Sequence, residues 1–108
     1  MNNQNVKTDE ELIAEFQAGD DRGFIELVDR YKDRLVNFVY RFLHDMTDAE
    51  DLVQETFLKV YKNKQAYREI AKFSTWIYTI AGNLARSELR KRKRRKTYTM
   101  SELSYEDN

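Results

Sequence analysis

Residues 73–96, FSTWIYTIAGNLARSELRKRKRRK, decide the reading of this chain. On a helix of about 3.6 residues per turn, Phe73, Ile77, Ile80, Ala81 and Leu84 share one face. Thr75, Thr79, Gly82, Arg86, Arg90 and Lys93 line the opposite face, with Asn83 at the margin between the two. The apolar half predicts a helix anchored in a core. The polar half has few acids and runs into seven consecutive bases from Arg90 to Lys96. A rod anchored at one end and cationic at the other suits a polyanion, and nucleic acid is the first candidate.

The remaining segments read as helical too, since the chain has no proline and three glycines. Thr8 and Glu11 form a capping box for a first helix that turns Leu12, Ile13 and Phe16 inward. Gly19, Asp20 and Asp21 stop it and restart the chain. In the next helix Phe24, Leu27, Val28, Tyr31, Leu35, Phe38, Val39 and Phe42 recur at three and four residues, a continuous apolar stripe. A short loop follows at 44–46. Thr47 and Glu50 make a second capping box and open a third helix through about Lys62, with Ala49, Leu52, Val53, Phe57, Val60 and Tyr61 on its core side. Residues 63–72 are polar and irregular, and Ser74 is a plausible cap for the fourth helix. The prediction is all-α: a compact bundle of about four helices over residues 1–96, with 97–108 as a flexible linker or tail.

Nineteen basic and nineteen acidic side chains cancel in 108 residues, but they are segregated. Residues 1–62 carry a net charge of −6, residues 63–96 a net of +9, and the tail −3. An acidic body with a basic end implies two different partners or one composite partner. The chain has no cysteine, which excludes disulfides and thiolate metal sites. The amino terminus lacks a signal-peptide core and no run approaches membrane-spanning length, which predicts an intracellular, cytoplasmic protein without a membrane partner. No Ser/His/Asp set, Gly-rich phosphate loop or HExxH is present. The single histidine, His44, reads as an exposed loop residue in HDMTD rather than a metal ligand. The chain is predicted not to be an enzyme and to use no cofactor or metal.

Two surfaces carry the chemistry. On the third helix Asp51, Gln54, Glu55 and Leu58 fall at i, i+3, i+4 and i+7. A solvated acidic face near a helix amino terminus explains Asp48, Glu50 and Asp51. A docking surface for a partner helix explains Gln54, Glu55 and an outward Leu58 better, and spacing alone leaves the two readings even. The basic run exceeds what a helix carboxyl terminus needs, and phosphates would relieve its self-repulsion. A localisation signal or an acidic protein partner would look the same. Asn83, three residues before Arg86 and one turn before Ser87, carries an amide suited to a base edge. Trp76 falls on the same edge, partly buried, where its ring suits single-strand stacking. Gly82 costs roughly 1 kcal/mol relative to Ala within a helix, and could permit close approach of a ligand.

The segments DAEDLVQETFLKVY and FSTWIYTIAGNLARSELRKRKRR, in this order and separation, resemble the second conserved region of sigma-70 family transcription initiation factors. The resemblance is to the extracytoplasmic-function (ECF) group and covers about residues 11–95. It implies an all-helical domain that docks on the clamp helices of the largest RNA polymerase subunit. It also implies recognition and melting of the promoter minus-ten element through the non-template single strand, and an anti-sigma factor as a further partner. Asp51, Gln54 and Glu55 match the polymerase-docking motif, with Leu58 completing the stripe. Asn83 and Ser87 match positions that face promoter bases. The loop of residues 67–72, with Tyr67, Arg68, Glu69 and Ile70, corresponds to the loop that captures a flipped base. Trp76 matches the first of two adjacent melting aromatics, and Ile77 replaces the second, as is typical of the ECF group. Arg86, Arg90 and Lys93 are the expected phosphate contacts.

The chain departs from the family pattern at three places. Glu69, Ile70 and Ala71 stand where a Gly-acidic-Ser pattern is common, and Thr79 where Arg is usual. The helix-turn-helix that reads the minus-thirty-five element is absent from these 108 residues, so the resemblance implies a single-domain fragment of a longer factor, with a free-standing shortened factor as the alternative.

Overall fold

The computed structural model describes residues 6–106, and the surroundings of side chains up to residue 100. The order is α1 (Asp9–Gln17), α2 (Asp21–Leu43), α3 (Met46–Lys62), a single 3-10 turn (Lys64–Ala66) and α4 (Phe73–Glu106). No strand occurs among the described residues. The all-α bundle follows from the apolar stripes of the sequence, which all face one core.

α1 opens on the expected capping box: the Thr8 hydroxyl accepts the Glu11 N–H at 3.1 Å, and the Glu11 carboxylate accepts the Thr8 N–H at 2.8 Å. Gly19, at φ +108°, makes the left-handed turn out of α1. Asp20 then caps α2 by accepting the Arg22 N–H at 3.0 Å. Gly23 has a role that periodicity does not reveal. A Cβ there would stand 2.3 Å from the Leu12 carbonyl oxygen, so α1 and α2 can cross this closely only over a glycine.

Leu27, Tyr31, Leu35, Val39 and Leu43 form the buried line of α2, flanked by half-buried Phe24, Val28, Phe38 and Phe42. They pack against Leu12, Ile13 and Phe16 of α1, Val53, Phe57 and Val60 of α3, and Phe73, Ile77, Ala81 and Ala85 of α4. Thr56 is buried among them, and its hydroxyl donates to the Leu52 carbonyl at 3.0 Å. Tyr61 departs from the expected pattern: it is 46% exposed and only rims the core, its ring 5.3 Å from Phe16 and 5.2 Å from Phe24.

Three boundaries differ from those read in the sequence. His44 adopts a left-handed conformation at φ 56°, which ends α2 and leaves Asp45 extended in the cap position of α3. Asp45, not Thr47, therefore caps α3, accepting the Asp48 N–H at 2.9 Å. α4 begins one residue before Ser74. The N–H of Phe73 donates to the Glu10 carboxylate at 2.9 Å, so a distant helix replaces the local cap. At its other end α4 continues past Lys96 through Glu106, where the sequence reading began a linker or tail. Nothing between Asn83 and Glu106 breaks a helix, and Glu88 takes hydrogen bonds from Arg92 and Arg95, offsetting part of the charge repulsion. At about 1.5 Å per residue α4 is about 50 Å long. It projects from the bundle and accounts for the 71 Å long axis of a molecule 28 × 21 Å across.

Candidate nucleic-acid and partner interfaces

Burial of Phe73, Ile77, Ala81 and Ala85 fixes the rotation of α4. Asn83, Arg86, Arg90 and Lys93 are consequently exposed and Ser87 half-buried, as the helical spacing predicts. Arg86 Nη2 donates to Asn83 Oδ1 at 2.9 Å. That bond engages the amide oxygen of the exposed Asn83, whose NH₂ group is a donor of the kind that suits an acceptor on a base edge. Gly82, placed on the polar face by the sequence, is buried. A Cβ on it would lie 3.3 Å from Arg86 Nη2, so the missing side chain is the bed on which the guanidinium rests.

Trp76 is half-buried, its ring 5.3 Å from Tyr67 and 6.0 Å from Phe73. Tyr67, expected at the base-capture surface, is buried. It is only 5% exposed, wedged between Phe73 and Trp76, with its hydroxyl donating to the Ala71 carbonyl at 2.6 Å. Burial, followed by the nearby carboxylates of Glu10, Glu69 and Asp9, raises its pKa. Tyr67 is the floor of the loop, not part of its exposed surface. The surface itself consists of exposed Arg68, Glu69 and Ile70, the last 95% exposed. Beside it lies an open cavity of about 330 Å³ between α1 and the loop, lined by Asp9, Glu10, Glu69, Ile70, Ala71, Lys72 and Ser74. The contribution of α1 was not visible in the sequence, because nothing local links residues so far apart.

The basic run divides into two kinds of residue. Arg92 is half-buried, and its guanidinium donates to the Leu43 carbonyl at 3.2 Å, Asp48 at 2.6 Å and Glu88 at 3.1 Å. It ties α4 to the end of α2 and the start of α3. Arg95 donates to Glu88 at 3.1 Å. Burial by itself would raise the Glu88 carboxyl, but the hydrogen bonds from Arg92 and Arg95 outweigh it and the pKa is lowered. Arg90, Lys93 and Arg94 are exposed and, with Thr97 and Tyr98, border an open hollow on the projecting part of α4. This stripe is an exposed cationic surface of the kind that phosphates contact.

On α3, Asp51, Gln54, Glu55 and Leu58 are all exposed, Leu58 to 56%. They serve two adjoining hollows. Gln54 and Leu58 border an apolar groove of about 520 Å³ whose other walls are Phe24, Val28, Phe57 and Tyr61. Asp51 and Glu55 instead line a smaller hollow of about 180 Å³ with Asp48, Leu52, Glu88 and Arg92. Phe24 and Val28 were read only as core, and their half-burial is what lets α2 share the groove. His44 takes no part in either surface; it closes α2, its N–H donating to the Tyr40 carbonyl at 2.8 Å.

Comparison with known proteins bears on both surfaces. A family model described as Sigma-70 region 2 matches residues 27–95. The chain is 41% identical over 81 residues to the ECF RNA polymerase sigma factor SigW of Bacillus subtilis, covering 75% of this chain and 43% of that protein. It is 39% identical over 87 residues to the RNA polymerase sigma-H factor of Pseudomonas aeruginosa, covering 81% of this chain and 45% of that protein. The chain thus spans less than half the length of these relatives. Its fold matches the NMR structure of an engineered region 2 of sigmaE in complex with GTAAAA. That match has a TM-score of 0.74 and 38% identity, and covers 82% of this chain and 93% of the other. The chain belongs to the sigma-70 region 2 family, in the company of the extracytoplasmic-function sigma factors.

Proposed function

We propose that this domain docks on the clamp helices of the largest RNA polymerase subunit and recognises and melts the promoter minus-ten element. It is an initiation-factor domain acting in the cytoplasm, and makes and breaks no bond. The exposed acids and amide of α3 hold the polymerase. The edge of α4 from Trp76 to Ser87, with the loop at Arg68, Glu69 and Ile70, holds the unpaired non-template strand. Phosphate contacts at Arg90, Lys93 and Arg94 supply affinity, and base contacts supply selectivity. An anti-sigma factor is the regulatory partner that the family implies.

The observation that carries this reading is the Arg86–Asn83 hydrogen bond of 2.9 Å on the exposed side of α4, about two helical turns along from the half-buried Trp76. A preset amide and an aromatic ring on the same helix suit an unpaired strand better than a duplex backbone. The complex of sigmaE region 2 with GTAAAA supports it, since that domain shares this fold at 38% identity.

Two measurements together test the proposal: capture of the largest polymerase subunit, and position-by-position base preference in a randomised single-stranded hexamer pool. Both should be positive. Capture of nucleic acid without polymerase would leave a generic helical nucleic-acid-binding protein. Failure of both would leave a protein-interaction module with a basic end.

A further inference from the structure

Most bonds that anchor the loop before α4 come from α1, a helix outside the residues matched by the family model. Gln17 Nε2 donates to the Lys64 carbonyl at 2.8 Å and to the Tyr67 carbonyl at 3.1 Å, spanning the 3-10 turn at which the loop begins. Glu10 accepts the Phe73 N–H at 2.9 Å, where the loop ends. Both ends are therefore referenced to one short helix. Between them the loop has few bonds of its own, chiefly the Tyr67 hydroxyl to the Ala71 carbonyl at 2.6 Å and the Ala71 N–H to the Arg68 carbonyl at 3.3 Å. Ile70, 95% exposed, has almost no packing to position it.

A binding constellation discriminates only if its groups are held to within about 0.5 Å. Here that placement is imposed from α1. The carboxylate of Glu10 also sits where the α4 dipole favours an anion, which strengthens the tie.

We propose that Glu10 and Gln17 are positioning residues for base selection. They act through the loop, fixing Glu69 and Ile70 relative to Trp76 and Asn83. This rests on the reading of the loop as a base-holding surface. Loss of the Glu10 tie loosens the α4 end of the loop; at the other end Lys64 and Gln65 still donate to the Phe16 and Gln17 carbonyls at 3.1 and 2.9 Å, so loss of the Gln17 tie loosens the loop at the Tyr67 carbonyl. Selectivity at one base then falls, while phosphate contacts on the far part of α4 are untouched.

The test uses the full chain and the randomised single-stranded hexamer pool, with wild type, Glu10→Ala, Glu10→Gln, Gln17→Glu and Asn83→Ala. Thermal melting is followed alongside. Glu10→Ala should lower discrimination at one position by about fivefold or more, on the scale of a lost base contact. The position affected by Asn83→Ala and the salt dependence should stay as in wild type. Glu10→Gln keeps an amide oxygen to accept the Phe73 N–H and should restore discrimination. Gln17→Glu replaces a two-bond donor by an acceptor facing two carbonyls, and should reproduce the loss even if Glu10→Ala fails to fold. Discrimination retained by both folded variants, or lost equally at every position, overturns this proposal alone. A wild type without any base preference overturns the minus-ten reading and this proposal with it.

Discussion

Arg92 of α4 donates to the Asp48 carboxylate of α3 at 2.6 Å, so one member of the basic run is turned inward to hold the bundle together. The same guanidinium reaches the Leu43 carbonyl at the end of α2. Charge density along the helix therefore overstates the number of bases left free at the surface.

Arg92→Ala should lower stability by about 1–2 kcal/mol, as for loss of charge-assisted hydrogen bonds at a partly exposed site. Its slope of log affinity against log salt for single strands should stay near that of wild type. Arg90→Ala, Lys93→Ala or Arg94→Ala should each flatten that slope by about 0.7 and weaken all sequences alike, with little loss of stability. Denaturant unfolding and salt titrations on the same variants separate the two kinds of base.

Glu88 adds a pH signature. Its folded pKa lies below the ordinary 4.5, so the unfolded chain takes up its proton first as the pH falls. The stabilisation is complete above the unfolded value and is lost as pH falls through the folded one. Below about pH 4.5, wild type should lose stability more steeply than Glu88→Gln, with no such difference between pH 6 and 8. Glu11 and Asp20 are lowered too, so a residual acid slope should remain in the variant. Parallel acid melting curves for the two proteins would show that Glu88 contributes nothing.

The Gly82–Arg86–Asn83 arrangement predicts a conflict between stability and selectivity. Gly82→Ala should gain up to roughly 1 kcal/mol of helix stability, because the Arg86 guanidinium 3.3 Å away is a flexible group that can give way. Displacing it releases the Asn83 amide. Base discrimination should therefore fall in Gly82→Ala and in Arg86→Ala at the same position as in Asn83→Ala, where the loss is roughly 1–3 kcal/mol for the preferred base. An equal loss across all bases in Asn83→Ala would reduce Asn83 to a backbone contact. Hexamer-pool binding with thermal melts makes the comparison.

Charge reversal at Asp51 and Glu55 should abolish capture of the polymerase largest subunit while each change costs within about 0.5 kcal/mol of stability, since both side chains are exposed. Leu58→Lys, at the border of the apolar groove, should weaken capture without affecting DNA binding. A folded double mutant that still binds polymerase would remove the docking role of α3.

Helix identity, the core stripes and the outward direction of Asn83, Arg86, Asp51, Gln54, Glu55 and Leu58 were legible in the sequence. Those features are local and periodic: a spacing of three and four residues sets which side chains share a face before any tertiary contact forms. The first capping box and the turn at Gly19 were legible for the same reason, because their partners lie within a few residues. What depended on segments meeting across the chain was not. Glu10 caps a helix 63 positions away, Gln17 holds a loop 47 and 50 positions away, and Arg92 leaves the exposed basic stripe for Asp48, 44 positions back. Tyr67 became floor instead of surface because Phe73 and Trp76 close over it. The helices and the chemistry on each face are written in local spacing. Which of those groups remain free for a partner is set by packing, because pairing depends on which side chains the packed core brings within reach.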